Sequence, residues 1–236
     1  MSELIRLTKR IAQTGKYSRH EADKLVAVGK VSVNGVIALS GTKVSDAGTE
    51  EIVVNGVPLQ GGNDDIYKFH KPRKVMSTYS DPSGRRTLAD FEGLSNSRMG
   101  YSGRLDYDSE GLMLFTSNGG LIYKMQHSDF NVEKEYIVDS DKEISAQWLR
   151  RLRAGIDIEG EHFLPCKVER VSKCKYNVVL IEGKKREIRR MFKEAGAKVM
   201  RLIRVRIASV LLWNMPEGAL IKLSEIEREE LVKCIG

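Results

Sequence analysis

The stretch GRLDYDSEGLMLFTSNG, residues 103–119, sets Arg104, Asp106, Asp108 and Glu110 directly before a strand-like apolar run. A carboxylate held at the mouth of a buried strand can act as a nucleophile or as an acid–base group. It can equally cap a turn or pair with Arg104 as a structural ion pair. The residues themselves leave both readings of Asp106 open.

A second cluster lies in EGKKREIRRMFKEAG, residues 182–196. The spacing predicts a helix over about 184–195, stopped by Gly196 and burying Ile188, Met191, Phe192 and Ala195 in one narrow arc. Arg186, Arg189, Arg190 and Lys193 share the opposite side, with Glu187 and Glu194 near its edge. A solvated helix face usually intersperses acids among its bases. This arc, with Lys184 and Lys185 ahead of it, favours contact with a nucleic-acid backbone. Residues 181–206 carry ten Lys/Arg against three Asp/Glu, and the whole chain has a net charge of +7, so the basicity is concentrated here. Residues 1–30 carry seven against three. There Arg6, Lys9, Arg10, Lys16, Arg19 and Lys24 could line one side of a small module, enough for phosphate contacts.

The elements that must position these groups fall into two parts. Leu4, Leu7 and Ile11 recur at helical spacing before Gly15. SRHEADKLVAVG then opens with Ser18 and Glu21 in the capping-box pattern, and Gly29 is the natural stop. KVSVNGV and EIVVNGVPL each break a β-rich run with Asn-Gly, a tight-turn signal. Residues 1–59 thus read as a compact α-β module, QGGNDD (60–65) as a linker, and 66–236 as a larger domain. Within that domain Gly111–Thr116, residues 134–140, Cys166–Val171 and Tyr176–Ile181 read as strands. GGLIYKMQH, SAQWLRRLRAG with a Ser145 cap, and SEIEREELVKCI read as helices, and VMRLIRVRIASVLL as mostly extended. Hairpins and helices alternate irregularly. The expected class is α+β: a mixed, largely antiparallel central sheet flanked by helices, with a small amino-terminal α-β domain.

Composition narrows the function classes. With 236 residues, 41% apolar and 30% charged, the chain is neither disordered nor fibrous. It holds no run of 18 apolar residues, and MSELIRLTKR has no apolar signal core, so the expectation is a cytoplasmic protein. Cys166, Cys174 and Cys234 form no CxxC pair and read as reduced thiols, and four scattered histidines make a structural zinc site unexpected. Trp148 and Trp213 read as packing residues, and Met76, Met113 and Met125 as core or near-core.

GRLDYDSEGLMLFTSNG resembles the signature of the bacterial ribosomal-RNA pseudouridine synthases that modify single uridines, of the small-subunit type and its large-subunit relatives. The similarity continues through HKP at 70–72, KEY at 134–136, KKREIRRM at 184–191 and LIRVRI at 202–207. Residues 1–59 resemble the small RNA-binding domain named after ribosomal protein S4. Nearly the whole chain is covered, in the family's order.

The resemblance implies Asp106 as the essential aspartate, Arg104 as a residue handling the target nucleotide, and Tyr136 as the active-site tyrosine. It implies Arg189 as the basic partner of Asp106 and Leu202 as a pocket leucine. The implied reaction detaches uridine from its sugar at N1, turns it and reattaches it through C5, without cofactor or metal. The implied partner is ribosomal RNA, free or in an assembling subunit, with no DNA or membrane, and the simplest state is a monomer. The chain departs from the family's usual pattern at several positions. Lys185 and Glu187 stand in a helix usually rich in asparagine or glutamine, and Lys74 replaces a common glycine. Ser117-Asn118-Gly119-Gly120 replaces Asn-Asp-Gly, and Ser128 a common proline. Two rivals are a non-catalytic RNA-binding or assembly protein on a degenerated synthase domain, and another RNA-modifying enzyme. Asp106, Tyr136 and Arg189 argue against the first. The lack of a glycine-rich methyl-donor site or paired zinc-ligand cluster argues against the second.

Overall fold

Turn chemistry shapes the amino-terminal part. In the computed structural model, which describes residues 4–14, 16–45, 50–59, 65–95 and 99–236, Ser18 and Glu21 form the capping box that starts the Arg19–Ala27 helix. Gly29 follows it at φ 69°. Asn34-Gly35 and Asn55-Gly56 take positive φ at both positions, the backbone twist a two-residue hairpin requires. The hairpins Val31–Val33/Val36–Ile37 and Ile52–Val54/Val57–Pro58 join through their first strands into a four-stranded antiparallel sheet. A core of Ile5, Leu7, Ile11, Val26, Val31, Val44 and Val54 lies within this part.

Leu4 departs from the helical reading. Leu4–Arg6 is a strand paired with Lys43–Ser45, and the helix is Leu7–Gln13. Leu4 is exposed while Ile5 is buried, so the period is two until Leu7, where it becomes helical. Gly15 and residues 60–64 of the expected linker lie outside the described residues.

The chain divides into two compact units. One consists of residues 1–65 with 98–100 and 116–122, and the rest of the chain forms the other. The second unit is built on a large mixed sheet whose main path runs Lys167–Ser172, Lys175–Leu180, Lys134–Ser140, Val199–Ile207, Glu110–Thr116, Ile66–Lys71, Leu220–Lys222. Along this path Lys167–Ser172 with Lys175–Leu180, Lys175–Leu180 with Lys134–Ser140, Lys134–Ser140 with Val199–Ile207, and Ile66–Lys71 with Leu220–Lys222 pair antiparallel, whereas Val199–Ile207 pairs parallel with Glu110–Thr116. The fold is therefore mixed α+β. Glu110–Thr116 is buried along its whole length, which explains why it reads as an unbroken apolar run.

Helices Ala146–Ala154 and Glu225–Ile235 start at Ser145 and Ser224, whose hydroxyls accept from the backbone N–H three residues on. A hairpin, Ile156–Ile158 with Glu161–Phe163, follows the first of them and has no counterpart among the expected elements. Trp213 corrects another expectation: it is 79% exposed, at φ 46° in the turn after Val210–Leu211. That left-handed backbone turns the indole outward rather than into the core. Trp148 is half-buried, with the Arg151 guanidinium 4.1 Å from its ring centre. Met113 and Met125 are fully buried, and Met76 is half-buried. The three cysteines are unpaired, and burial pushes the Cys166 thiol up to about 12.

Candidate active site

Gly111 sets the approach on which the site depends. It lies opposite Arg204 in the parallel pairing, at φ 114°, and a Cβ there would stand 2.3 Å from the Arg204 carbonyl oxygen. Only glycine lets the strand begin this close to its neighbour. The turn before it is then carried over the strand holding Leu202 and Arg204.

That turn is fastened from below. Ser109 N–H donates to the Asp106 carbonyl at 3.0 Å. The wholly buried Lys71 ammonium donates to the carbonyls of Ser109 at 2.8 Å, Pro72 at 2.9 Å and Asp106 at 3.3 Å. Burial pulls the Lys71 ammonium down to about 8, against the opposing pull of the Asp106 carboxylate. Ser77 Oγ donates to the Leu105 carbonyl at 2.7 Å and accepts from Leu105 N–H at 3.1 Å, holding the residue before Asp106. Lys74 N–H donates to the Tyr107 carbonyl at 2.7 Å, with Lys74 itself at φ 60°.

The Asp106 carboxylate, about a third exposed, faces two guanidiniums: Arg186 Nη1 at 3.7 Å and Arg189 Nε at 3.8 Å. Arg189 is anchored by its outer nitrogens to the carbonyls of Val199 and Asp108 and to Ser109 Oγ. Its buried Nε makes no hydrogen bond, so that N–H is left for the carboxylate side. Burial, reinforced by Arg186, lowers the Arg189 pKa from its ordinary value.

Asp106, Arg189, Arg104, Leu202 and Tyr136 all line one cavity of about 420 Å³, with Lys184, Lys185 and Arg186. The volume falls in the usual range for small-ligand sites. Tyr136 and Leu202 stand on the paired strands Lys134–Ser140 and Val199–Ile207, where Tyr136 lies opposite Arg204 and Val138 opposite Leu202. Arg104 is exposed at the cavity and makes no hydrogen bond or ion pair among the described residues.

The basic helix begins later than its spacing suggests, at Glu187, because Arg186 takes a left-handed conformation with φ 53°. Lys184, Lys185 and Arg186 therefore form a cavity-lining turn, a strained backbone of the kind found at functional sites. Ile188, Met191 and Phe192 are buried as expected, whereas Ala195 is half-buried. Besides Arg186, which faces Asp106, two more of the expected RNA cations are already engaged. Lys184 binds Glu182 at 3.0 Å and the His162 carbonyl, and Arg190 binds Glu161 and the Ile158 carbonyl. Lys185 and Lys193 are exposed without such partners among the described residues. In the first unit Arg6, Lys16, Arg19 and Lys24 are exposed, and Lys9 and Arg10 are half-buried.

Glu187 lies not at the edge of the exposed arc but buried, lining the cavity, with Oε2 accepting from Lys184 N–H at 3.0 Å. Burial and then the neighbouring Glu182 carboxylate push its pKa up to about 8. On the strands that carry Tyr136 and Leu202, the buried Lys134 ammonium donates to the Val132 carbonyl, and Arg204 Nε to the Leu112 carbonyl. Burial and then Arg204 hold Lys134 down to about 8. Sequence reasoning missed Lys71, Ser77 and Glu187 as determinants of the site. HKP marked Lys71 as part of a motif, but nothing local told that its ammonium would reach 35 residues onward. Among the described residues no three His, Cys, Asp or Glu side chains gather to hold a metal ion. Nor is any described helix long and apolar enough to cross a membrane.

Comparison with known proteins matches residues 65–194 to the family described as RNA pseudouridylate synthase, and residues 5–50 to the S4 domain. The dual-specificity RNA pseudouridine synthase RluF of Escherichia coli K12 is 35% identical over 234 residues, covering 98% of this chain and 79% of that protein. The ribosomal large subunit pseudouridine synthase B of Bacillus subtilis is 34% identical over 233 residues, covering 96% and 95%. A crystal structure of a pseudouridylate synthase superposes with a TM-score of 0.69 at 28% identity, covering 96% of this chain and 99% of that one.

Proposed function

The chain belongs to the RNA pseudouridylate synthase family, and from that premise we propose that it isomerises specific uridines of ribosomal RNA in the cavity around Asp106. The observation that carries the assignment of the site is the convergence of Asp106, Tyr136, Arg189, Arg104 and Leu202 on that one cavity. The Bacillus subtilis relative is named for the large ribosomal subunit and is matched over nearly its whole length, which makes large-subunit RNA the first substrate to test.

In this reading the N1–C1′ bond of the target uridine breaks, the uracil turns, and a C5–C1′ bond forms. C5 loses its proton and N1 gains one. Asp106 is the reacting carboxylate, aimed by the guanidiniums of Arg189 and Arg186 that face it. Tyr136 supplies an aromatic face for the uracil and a hydroxyl placed to move the C5 proton, and Leu202 packs beside the base. The buried Lys71, Lys134 and Arg204 add positive potential behind the site, where negative charge develops on the departing uracil. The target leaves the RNA stack to enter the cavity, and Arg104 takes up the vacated place or a phosphate. Unstacking costs a few kcal/mol, offset by phosphate contacts to Lys185, Lys193 and the cations of residues 6–24. Lys184 serves mainly to brace the cavity wall, and Arg190 to tie the basic helix to the Ile156–Phe163 hairpin.

The division of labour we assign is 1–59 for RNA docking, 60–65 as linker and 66–236 for chemistry, in a cytoplasmic monomer without a DNA partner. The test is tritium release from ribosomal RNA labelled at uridine C5, small and large subunit, free and as immature particles. Wild type should release tritium, and Asp106→Asn should release at least about a thousandfold less while folding and binding RNA normally. Equal background from both proteins on all substrates would defeat the assignment and favour a binding factor.

A further inference from the structure

A second cavity, about 710 Å³, shares Arg186 and Arg189 in its lining with the Asp106 cavity, so these two arginines form a wall common to both. Arg73, Lys193 and Lys198 add three more cations to it, against Asp108 and Asp141. One of the acids is already spent on the fold. Asp141 Oδ1 accepts from Lys198 N–H at 2.7 Å, and Asp141 N–H donates to the Lys198 carbonyl at 3.0 Å. The helix closes just before this point, where Gly196 at φ 81° lets Gly196 N–H donate to the Lys193 carbonyl and Ala197 N–H to the Phe192 carbonyl. The floor is thus rigid, while the side chains of Arg73, Lys193 and Lys198 are exposed and make no hydrogen bond or ion pair among the described residues.

Met200 lies among these cations, and half of its surface is exposed. Met200 therefore gives this cationic groove an apolar surface. A nucleotide has use for both: its phosphate takes the cations, and its base lays an apolar face on the thioether. We propose that this groove seats the nucleotide adjoining the target uridine, with its phosphate on Arg73, Lys193 and Lys198 and its base against Met200. The proposal rests on the pseudouridine synthase reading, since a target held in the Asp106 cavity leaves its neighbour on the other side of the shared arginine wall. None of Arg73, Lys198 and Met200 belongs to the motifs that mark the reaction, so the groove bears on which RNA is held rather than on bond making.

The experiment uses the full chain and two measurements on ribosomal RNA: tritium release from uridine C5, and direct RNA binding across a salt series. The Arg73→Ala/Lys198→Ala double variant should raise KM about tenfold with kcat within about twofold. It should reduce the magnitude of the slope of log binding constant against log salt by about 1.4, two phosphate contacts at about 0.7 each for a single strand. Met200→Ala should raise KM without changing that slope, and Lys198→Arg, which keeps both cations, should keep the wild-type slope. Normal turnover with unchanged KM and unchanged salt slope in the double variant overturns the groove. A reduced slope in the double variant, with no tritium released even by wild type, upholds the RNA groove and overturns the enzymatic reading instead.

Discussion

Glu187 offers the sharpest physical test, because its burial beside Glu182 makes folding depend on a single proton. Its carboxyl is raised from an ordinary 4.5 to about 8 by burial and then by Glu182, while Lys184, Lys134 and Cys166 face it from neighbouring segments. Between those two pH values the folded protein holds a proton that the unfolded chain has released. Stability from this group is therefore fully present below about 4.5 and is lost as pH rises through about 8. The linkage slope is about 1.4 kcal/mol per pH unit, so the accumulated loss amounts to a few kcal/mol. Glu187→Gln keeps the shape and the acceptor for Lys184 N–H, and its amide can donate toward Glu182 without ionising. Urea unfolding of both proteins at pH 5, 6, 7 and 8 isolates the effect as the difference between two curves. The variant should gain on wild type by about 1 kcal/mol or more per unit from pH 5 to 7.5. Parallel pH profiles would refute the reasoning and mean that Glu187 ionises without difficulty in the folded protein.

Other perturbations have equally definite outcomes. Lys71→Met removes the donor to three carbonyls, so stability should fall by about 3 kcal/mol and kcat by about tenfold as the Asp106 turn loosens, read by urea unfolding and tritium release. Gly111→Ala drives a Cβ into the Arg204 backbone at 2.3 Å and 2.6 Å. It should cost about 4 kcal/mol or more, or prevent folding, and an unchanged melting temperature would contradict the close approach. Lys74→Gly relieves a side chain at φ 60° and should stabilise by about 0.5–1 kcal/mol in the same unfolding assay.

Signals that act within a few residues were legible in the chain. Ser18 with Glu21, the two Asn-Gly turns and the Ser145 cap all depend on contacts spanning a handful of positions, and the Gly111–Thr116 strand showed itself by its unbroken apolar run. The hairpin at Ile156–Phe163 escaped because its turn is Glu159-Gly160, with Glu159 at φ 53°, and glutamate is a weak turn residue where asparagine would be a strong one. Leu4 misled because three residues before Leu7 is a helical interval even when a strand occupies it. The basic helix began three residues late for a different reason: the left-handed Arg186 is stabilised by Glu187 reaching back to Lys184 N–H, and propensity does not register such a contact.

The amino-acid sequence alone determined which groups were present for chemistry, their order along the chain, the concentration of positive charge, and the resemblance that ordered motifs can carry. It left Asp106 balanced between a catalytic carboxylate and a turn cap. Tertiary structure decided its surroundings by bringing Tyr136 from 30 residues away and Arg189 from 83 residues away to the same cavity wall. It also separated Lys184 and Arg190, consumed by internal ion pairs, from Lys185 and Lys193, left exposed, although all four look alike in sequence. The physical reason is range. Caps and turns are settled by neighbours along the backbone, whereas burial, pairing and the ionisation of Lys71 and Glu187 depend on which distant strands the fold brings alongside.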